Sequence, residues 1–218
     1  MKTLTFIKND LIIWILILLP FVFLIFTWNQ LPQVIPTKWN FNGEVILSME
    51  KGYKTFFIPV LNLAIYFLLI ILPIIDPKKE NYSQFGSAFY TIRLLVHALL
   101  SIVFVMILLS ALHYPINMSL TGKYLLPAIF IILGNFMGKI RPNYFVGIRT
   151  PWTLANEDVW VKTHRMAGWV WVVCSLIYLM ASFFTQLPQW IQLTYIAVLI
   201  VVPFVYSFVK FKQLTGEK

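Results

Sequence analysis

An all-α bundle of six membrane-spanning helices, with both termini in the cytoplasm, is the fold this sequence predicts. Three observations carry that prediction. Of the 218 residues, 60% are hydrophobic and only 11% charged, whereas an ordinary soluble domain carries about 25% charge. The apolar residues gather into long blocks free of Asp, Glu, Lys and Arg, of about the length that crosses roughly 30 Å of hydrocarbon as a helix. The basic residues fall mostly on alternate connections between those blocks.

The first span covers residues 11–28 and contains Pro20. It is too long for a signal-peptide core and has no small-residue cleavage pattern near Trp28, so it reads as a retained helix. The second covers 55–75, with Pro59 and Pro73, and the third 93–113. The fourth, 117–138, is the weakest, because its uncharged stretch runs only from Tyr124 to Gly138 and Lys123 must snorkel to a membrane face. The fifth covers 166–184 and the sixth 190–209, with Pro203. Prolines in such spans predict kinks, because neighbouring helices satisfy the freed carbonyls.

Thirteen of the seventeen Lys and Arg fall on the N-terminus, the second and fourth connections and the C-terminal tail; Lys38, Lys51, Lys54 and Lys123 fall on the other side. The positive-inside rule therefore places both ends in the cytoplasm. The net charge of +9 is dispersed over short loops, which fits anionic inner-leaflet lipid rather than direct contact with nucleic acid. Cys174 is the only cysteine and lies mid-span, so no disulfide is expected.

The chain reads as a single integral membrane domain, 1–218, in which two connections are long enough for specific recognition: an extracytoplasmic one at 29–54 and a cytoplasmic one at 139–165. In the outer loop, Pro32 and Pro36 favour an extended start. Asn42-Gly43 is a strong hairpin-turn signal between β-favouring flanks. Trp39 and Phe41 fit either interfacial anchors or a ligand-binding surface. The inner loop follows a Gly134-Asn135-Phe136-Met137-Gly138 run whose small-residue spacing allows close helix approach. After Pro142-Asn143 it reads Gly147-Ile148-Arg149-Thr150-Pro151-Trp152-Thr153-Leu154. Asn156 then N-caps a short amphipathic helix, with Glu157 and Asp158 in its first turn and Lys162 and Arg165 later, expected to lie on the inner membrane surface before the fifth span.

No catalytic or metal-binding pattern appears. His97, His113 and His164 are far apart, and there is no His-Glu-x-x-His, Cys-x-x-Cys or phosphate-binding glycine loop. No enzyme activity, metal or cofactor is expected. Mid-span ionisable residues are essentially absent on this reading, which argues against an ion-coupled transporter. Asn62 and Asn135 are the main polar residues in or near spans and fit helix-to-helix hydrogen bonds.

The run from Gly147 to Leu154, with Val159-Trp160 and Arg165 following, resembles the SdpI family of bacterial membrane proteins. Leu31-Pro32, Ile35-Pro36, Trp39 and Gly43 are similar to the small extracytoplasmic segment that precedes this motif in longer members. The resemblance implies a multi-pass protein of the bacterial cytoplasmic membrane that confers immunity to a secreted toxin peptide. In the type member it also implies signalling, through capture of a cytosolic transcriptional repressor. The bilayer, a secreted antimicrobial or toxin peptide and such a repressor are thus the implied partners.

The candidate inner set is Asn135, Asn143, Gly147, Arg149, Thr150, Pro151, Trp152, Thr153, Trp160 and Arg165. Within it, Arg149, Trp152 and Trp160 either hold the loop against the bilayer or meet a partner. The candidate toxin-facing set is Pro32, Pro36, Trp39, Phe41 and Gly43. A small transporter or export factor, and a membrane enzyme built on Glu157, Asp158 and His164, are the alternatives from other classes.

Overall fold

The computed structural model describes residues 10–40, 42–185 and 187–216. Phe41 and the basic residues Lys2, Lys8 and Lys218 lie outside them. The elements are α1 (Leu11–Thr27), β1 (Val34–Trp39), β2 (Val45–Glu50), α2 (Phe57–Ile75), α3 (Gly86–Ala111), α4 (Met118–Met137), α5 (Pro151–Ala155), α6 (Glu157–Phe184) and α7 (Gln189–Thr215). Among the described residues, six helical segments are long and apolar enough to cross a membrane, as the sequence predicts. The chain is an all-α, multi-pass membrane protein that carries one small hairpin.

Three span boundaries differ from expectation, one of them the end of α7, which runs to Thr215 rather than stopping near residue 209. α3 starts at Gly86, ahead of the expected residue 93, so Arg93 lies two turns inside the helix rather than at its end. α6 starts at Glu157 and runs unbroken to Phe184, so the expected amphipathic surface helix is the first part of the fifth span. The N-cap reading holds: Asn156 Oδ1 accepts from Asp158 N (2.9 Å) and Val159 N (3.1 Å). No Gly or Pro stands between Glu157 and Gly168 to stop the helix, and the charges there are too few to end it.

The described residues pack as two units, one within 10–71 and 92–123 and the other within 72–91 and 124–216. In the first unit the hairpin forms as its turn residues dictate. Asn40 Oδ1 accepts from Asn42 N (3.0 Å) and Glu44 N (2.9 Å), and Gly43 takes φ +86°, a left-handed conformation that glycine adopts without penalty. Leu24, Leu31, Ile35, Phe104, Ile107 and Leu108 form the core between hairpin and helices, with Trp39 packed against it. Lys51 Nζ donates to the Trp28 (3.2 Å) and Leu31 (3.0 Å) carbonyls and lies over the Trp28 ring, closing the end of α1.

In the second unit α4 and α6 meet at two glycines. A Cβ on Gly134 would lie 2.8 Å from the Gly168 carbonyl oxygen, and one on Gly168 would lie 2.6 Å from that of Gly134. This is the close backbone approach that small residues permit in membranes. α6 and α7 join through Trp171 Nε1 donating to the Leu199 carbonyl (2.9 Å), the Ser175–Tyr195 hydroxyl pair (2.7 Å) and the stacked rings of Tyr178 and Tyr195.

Candidate functional site

The inner motif folds into a cap in which nearly every side chain satisfies backbone. Asn143, 1% exposed, accepts from the N–H groups of Phe145 (2.9 Å) and Val146 (2.6 Å) through Oδ1 and donates through Nδ2 to the carbonyls of Arg141 and Val146. The chain then reaches Gly147 at φ +114°, where an added Cβ would collide with His164 Nε2 and lie 3.3 Å from Trp160 Cζ2. Glycine is the residue this step requires.

Ile148 N–H donates to His164 Nε2 (2.9 Å), so that nitrogen is a bare acceptor. The proton therefore sits on Nδ1 and is donated to the Trp160 carbonyl (2.9 Å). Trp160 stacks on His164 with ring centroids 4.1 Å apart and donates its indole N–H to the Ile140 carbonyl (2.9 Å). Both residues are completely buried.

Thr150 and Thr153 form a capping box that starts α5, each accepting the other's backbone N–H (3.2 and 3.0 Å), with Pro151 at the first helical position. The Thr153 hydroxyl donates to the Ile148 carbonyl (2.7 Å), and that of Thr150 donates to Ser207 Oγ (3.0 Å) on α7. Trp152 packs on Phe204 and Phe208, also on α7. The motif thus clamps the start of α6 to the end of α7.

Arg149 is exposed and donates from Nη1 to the Tyr144 carbonyl (2.6 Å). Asn135 and Arg165 are not drawn into this network. Asn135 is exposed and bonds the Ile131 carbonyl of its own helix (3.0 Å), and Arg165 is exposed on α6.

Sequence reasoning missed the buried carboxylate that anchors the cap. Asp76, 2% exposed, follows α2 and accepts from Lys78 N (2.7 Å), the Tyr82 hydroxyl (3.0 Å) and Tyr144 N (3.0 Å). Burial, reinforced by the Asp76 carboxylate, pushes the Tyr82 hydroxyl well above the usual tyrosine range, so it stays a donor at any physiological pH. Asn81 Nδ2 donates to the Pro142 carbonyl (2.7 Å), and Lys78 pairs with Glu157 at 2.8 Å. The available signal was a lone Asp before Pro77 at the end of an apolar block. Glu157 and Asp158 are exposed whereas His164 is buried, so the three do not share a cleft.

The first unit buries ionisable groups close to the ends of its spans. Asp10 and Arg93 form a fully buried ion pair, and the Tyr66 hydroxyl donates to the same carboxylate oxygen (3.1 Å). One turn along α3, His97 Nδ1 bonds Asn62 Oδ1 (2.6 Å), and Asn62 Nδ2 donates to Ser101 Oγ (3.1 Å). Asn62 therefore bonds across helices as predicted. In the outer loop, Pro32, Pro36 and Trp39 are half-buried, and Trp39 serves the core. The exposed large apolar residues of that loop are Val34, Val45, Ile46, Leu47 and Tyr53.

Six spans, an apolar hairpin after the first and a glycine-dependent, hydrogen-bonded motif cap before the fifth define a multi-pass cell-membrane protein with two structured connections. Those two connections are also where family models match. The model of the SdpI/YfhL protein family covers residues 139–207, and that described as a domain of unknown function (DUF1648) covers residues 15–63. The chain is 31% identical over 212 residues to the "Immunity protein SdpI" of Bacillus subtilis (strain 168), spanning 97% of this chain and 100% of that protein. The chain belongs to the SdpI family. No solved structure matches it.

Proposed function

We propose that this protein is a membrane immunity protein that protects its cell against a secreted, membrane-active toxin peptide. The observation that carries this reading is full-length similarity to a protein named for immunity, with both structured connections inside the matched regions. The physical requirements agree. A peptide that attacks the bilayer arrives at its outer face, and a binder there needs apolar surface near the interface. The hairpin carries Val45, Ile46 and Leu47, each more than half exposed.

The distribution of Lys and Arg supports both termini in the cytoplasm. Three spans separate the hairpin from the motif cap, an odd number, so the two lie on opposite faces of the membrane. The cap is then the surface through which toxin engagement is signalled, with exposed Arg149 and half-buried Trp152 as contacts for a cytosolic transcriptional repressor. The buried Asp10–Arg93–His97 line is the one feature that favours a transporter instead, since such groups mark ion pathways.

A killing assay tests the reading. A sensitive strain expressing the chain is expected to survive toxin peptide that kills the parent strain, with no solute flux in liposomes holding the purified protein. Unchanged killing at verified membrane expression refutes immunity, and flux without protection establishes the transport reading.

A further inference from the structure

Beneath the hairpin lies an apolar cavity of about 660 Å³, walled by Leu47 and Met49 of β2, Phe57 and Val60 of α2, and Phe104 and Ile107 of α3. Its size falls in the range of about 300–1,000 Å³ typical of ligand sites. Lys54, at its rim, is the one charged residue in the lining. Lys51 is not available there, because its ammonium is spent on the Trp28 and Leu31 carbonyls.

The strand beside this cavity has a free edge, and the register shows which groups it presents. Lys51 N–H donates to the Gln33 carbonyl (2.8 Å), and Val34 faces Glu50, Ile35 faces Met49 and Pro36 faces Ser48. Bonded and non-bonded pairs alternate in an antiparallel ladder, so the 34–50 and 36–48 pairs are non-bonded. Ser48 and Glu50 therefore turn their N–H and C=O groups away from β1. Among the described residues β2 pairs with β1 alone. On the opposite edge the outward positions are Val34 and Pro36, and Pro36 has no N–H to offer, so that edge presents one donor fewer. The hairpin is receptive on the β2 side.

Outward N–H and C=O groups along an open strand edge are a template for a further strand. A lipid tail would fill the cavity but make no use of that edge, whereas an extended peptide fits both. We propose that a short, extended, apolar segment of the toxin peptide adds to β2 as a third strand. It drops alternate side chains into the cavity and places a carboxylate against Lys54. This inference rests on the immunity reading for the source of the peptide; the site itself is argued from the strand edge, the cavity and its single cation.

The test uses the full-length protein in lipid nanodiscs and a synthetic eight-residue peptide of alternating Leu and Val with a free C-terminal carboxylate. Two N-methylated twins, blocked at odd or at even residues, remove backbone donors from opposite edges of the probe. Strand addition is expected to weaken one twin about tenfold or more while the other binds as the parent. Ser48→Pro, which deletes an outward donor but no β1–β2 bond, and Val60→Trp, which fills the cavity, are each expected to weaken the parent peptide similarly.

Equal binding of parent and both twins overturns the proposal in favour of a lipid-type pocket. So does absence of binding to the unmodified protein. Survival separates the two readings. Protection that persists undiminished in both Ser48→Pro and Val60→Trp refutes this site and leaves immunity standing. Twin-selective probe binding by a chain that fails to protect supports the site and refutes immunity.

Discussion

At Gly147 the backbone holds φ +114° with no room for a methyl group between it and the His164 ring. Gly147→Ala combines left-handed strain with a clash against a fully buried pair of rings. It is expected to destabilise the protein by about 2–4 kcal/mol, measured as a shift in denaturant unfolding in micelles. At Asp10 and Arg93 the expected pattern is different. Arg93→Met or Asp10→Leu alone leaves an uncompensated buried charge, a loss of about 3–5 kcal/mol, whereas the double substitution recovers most of it. A double-mutant cycle on the same unfolding signal checks this, and additive losses would contradict it. The sequence showed both glycine and arginine but not their settings. Arg93 stands beside an apolar block as a terminal anchor would, and only the earlier start of α3 and the pairing with Asp10 make it an interior residue.

At the scale of elements, composition specified most of the fold. The apolar blocks became α1 to α4, α6 and α7, and the Asn42-Gly43 turn became the β1–β2 hairpin. Charge marked the ends less well. Glu157 to Arg165 read as a separate surface helix, yet no residue breaks the backbone between that stretch and the apolar run after it, so α6 is one rod. The contact of α4 with α6 was visible only by half. Gly134 and Gly138 suggested a close approach, but the partner of Gly134 is Gly168, which no local pattern identifies. Gly168→Ala is expected to force these helices apart, with a loss of about 1–3 kcal/mol and reduced folded yield; Gly138→Ala, whose Cβ would stay 3.9 Å from Arg165 Cα, is expected to be tolerated.

For the molecule as a whole, we propose that recognition and readout stand on opposite membrane faces, the hairpin outside and the motif cap inside. Six spans were legible from hydropathy, and the basic residues predict the sidedness under the positive-inside rule. The chain's single cysteine makes a direct test simple. In a Cys174→Ser background, Ile46→Cys on the hairpin and Asp158→Cys at the start of α6 place one exposed thiol each. Treated with a membrane-impermeant maleimide, intact cells are expected to label Ile46→Cys at once and Asp158→Cys only after permeabilisation. Labelling of both in intact cells, or of neither until the membrane is opened, would contradict the account.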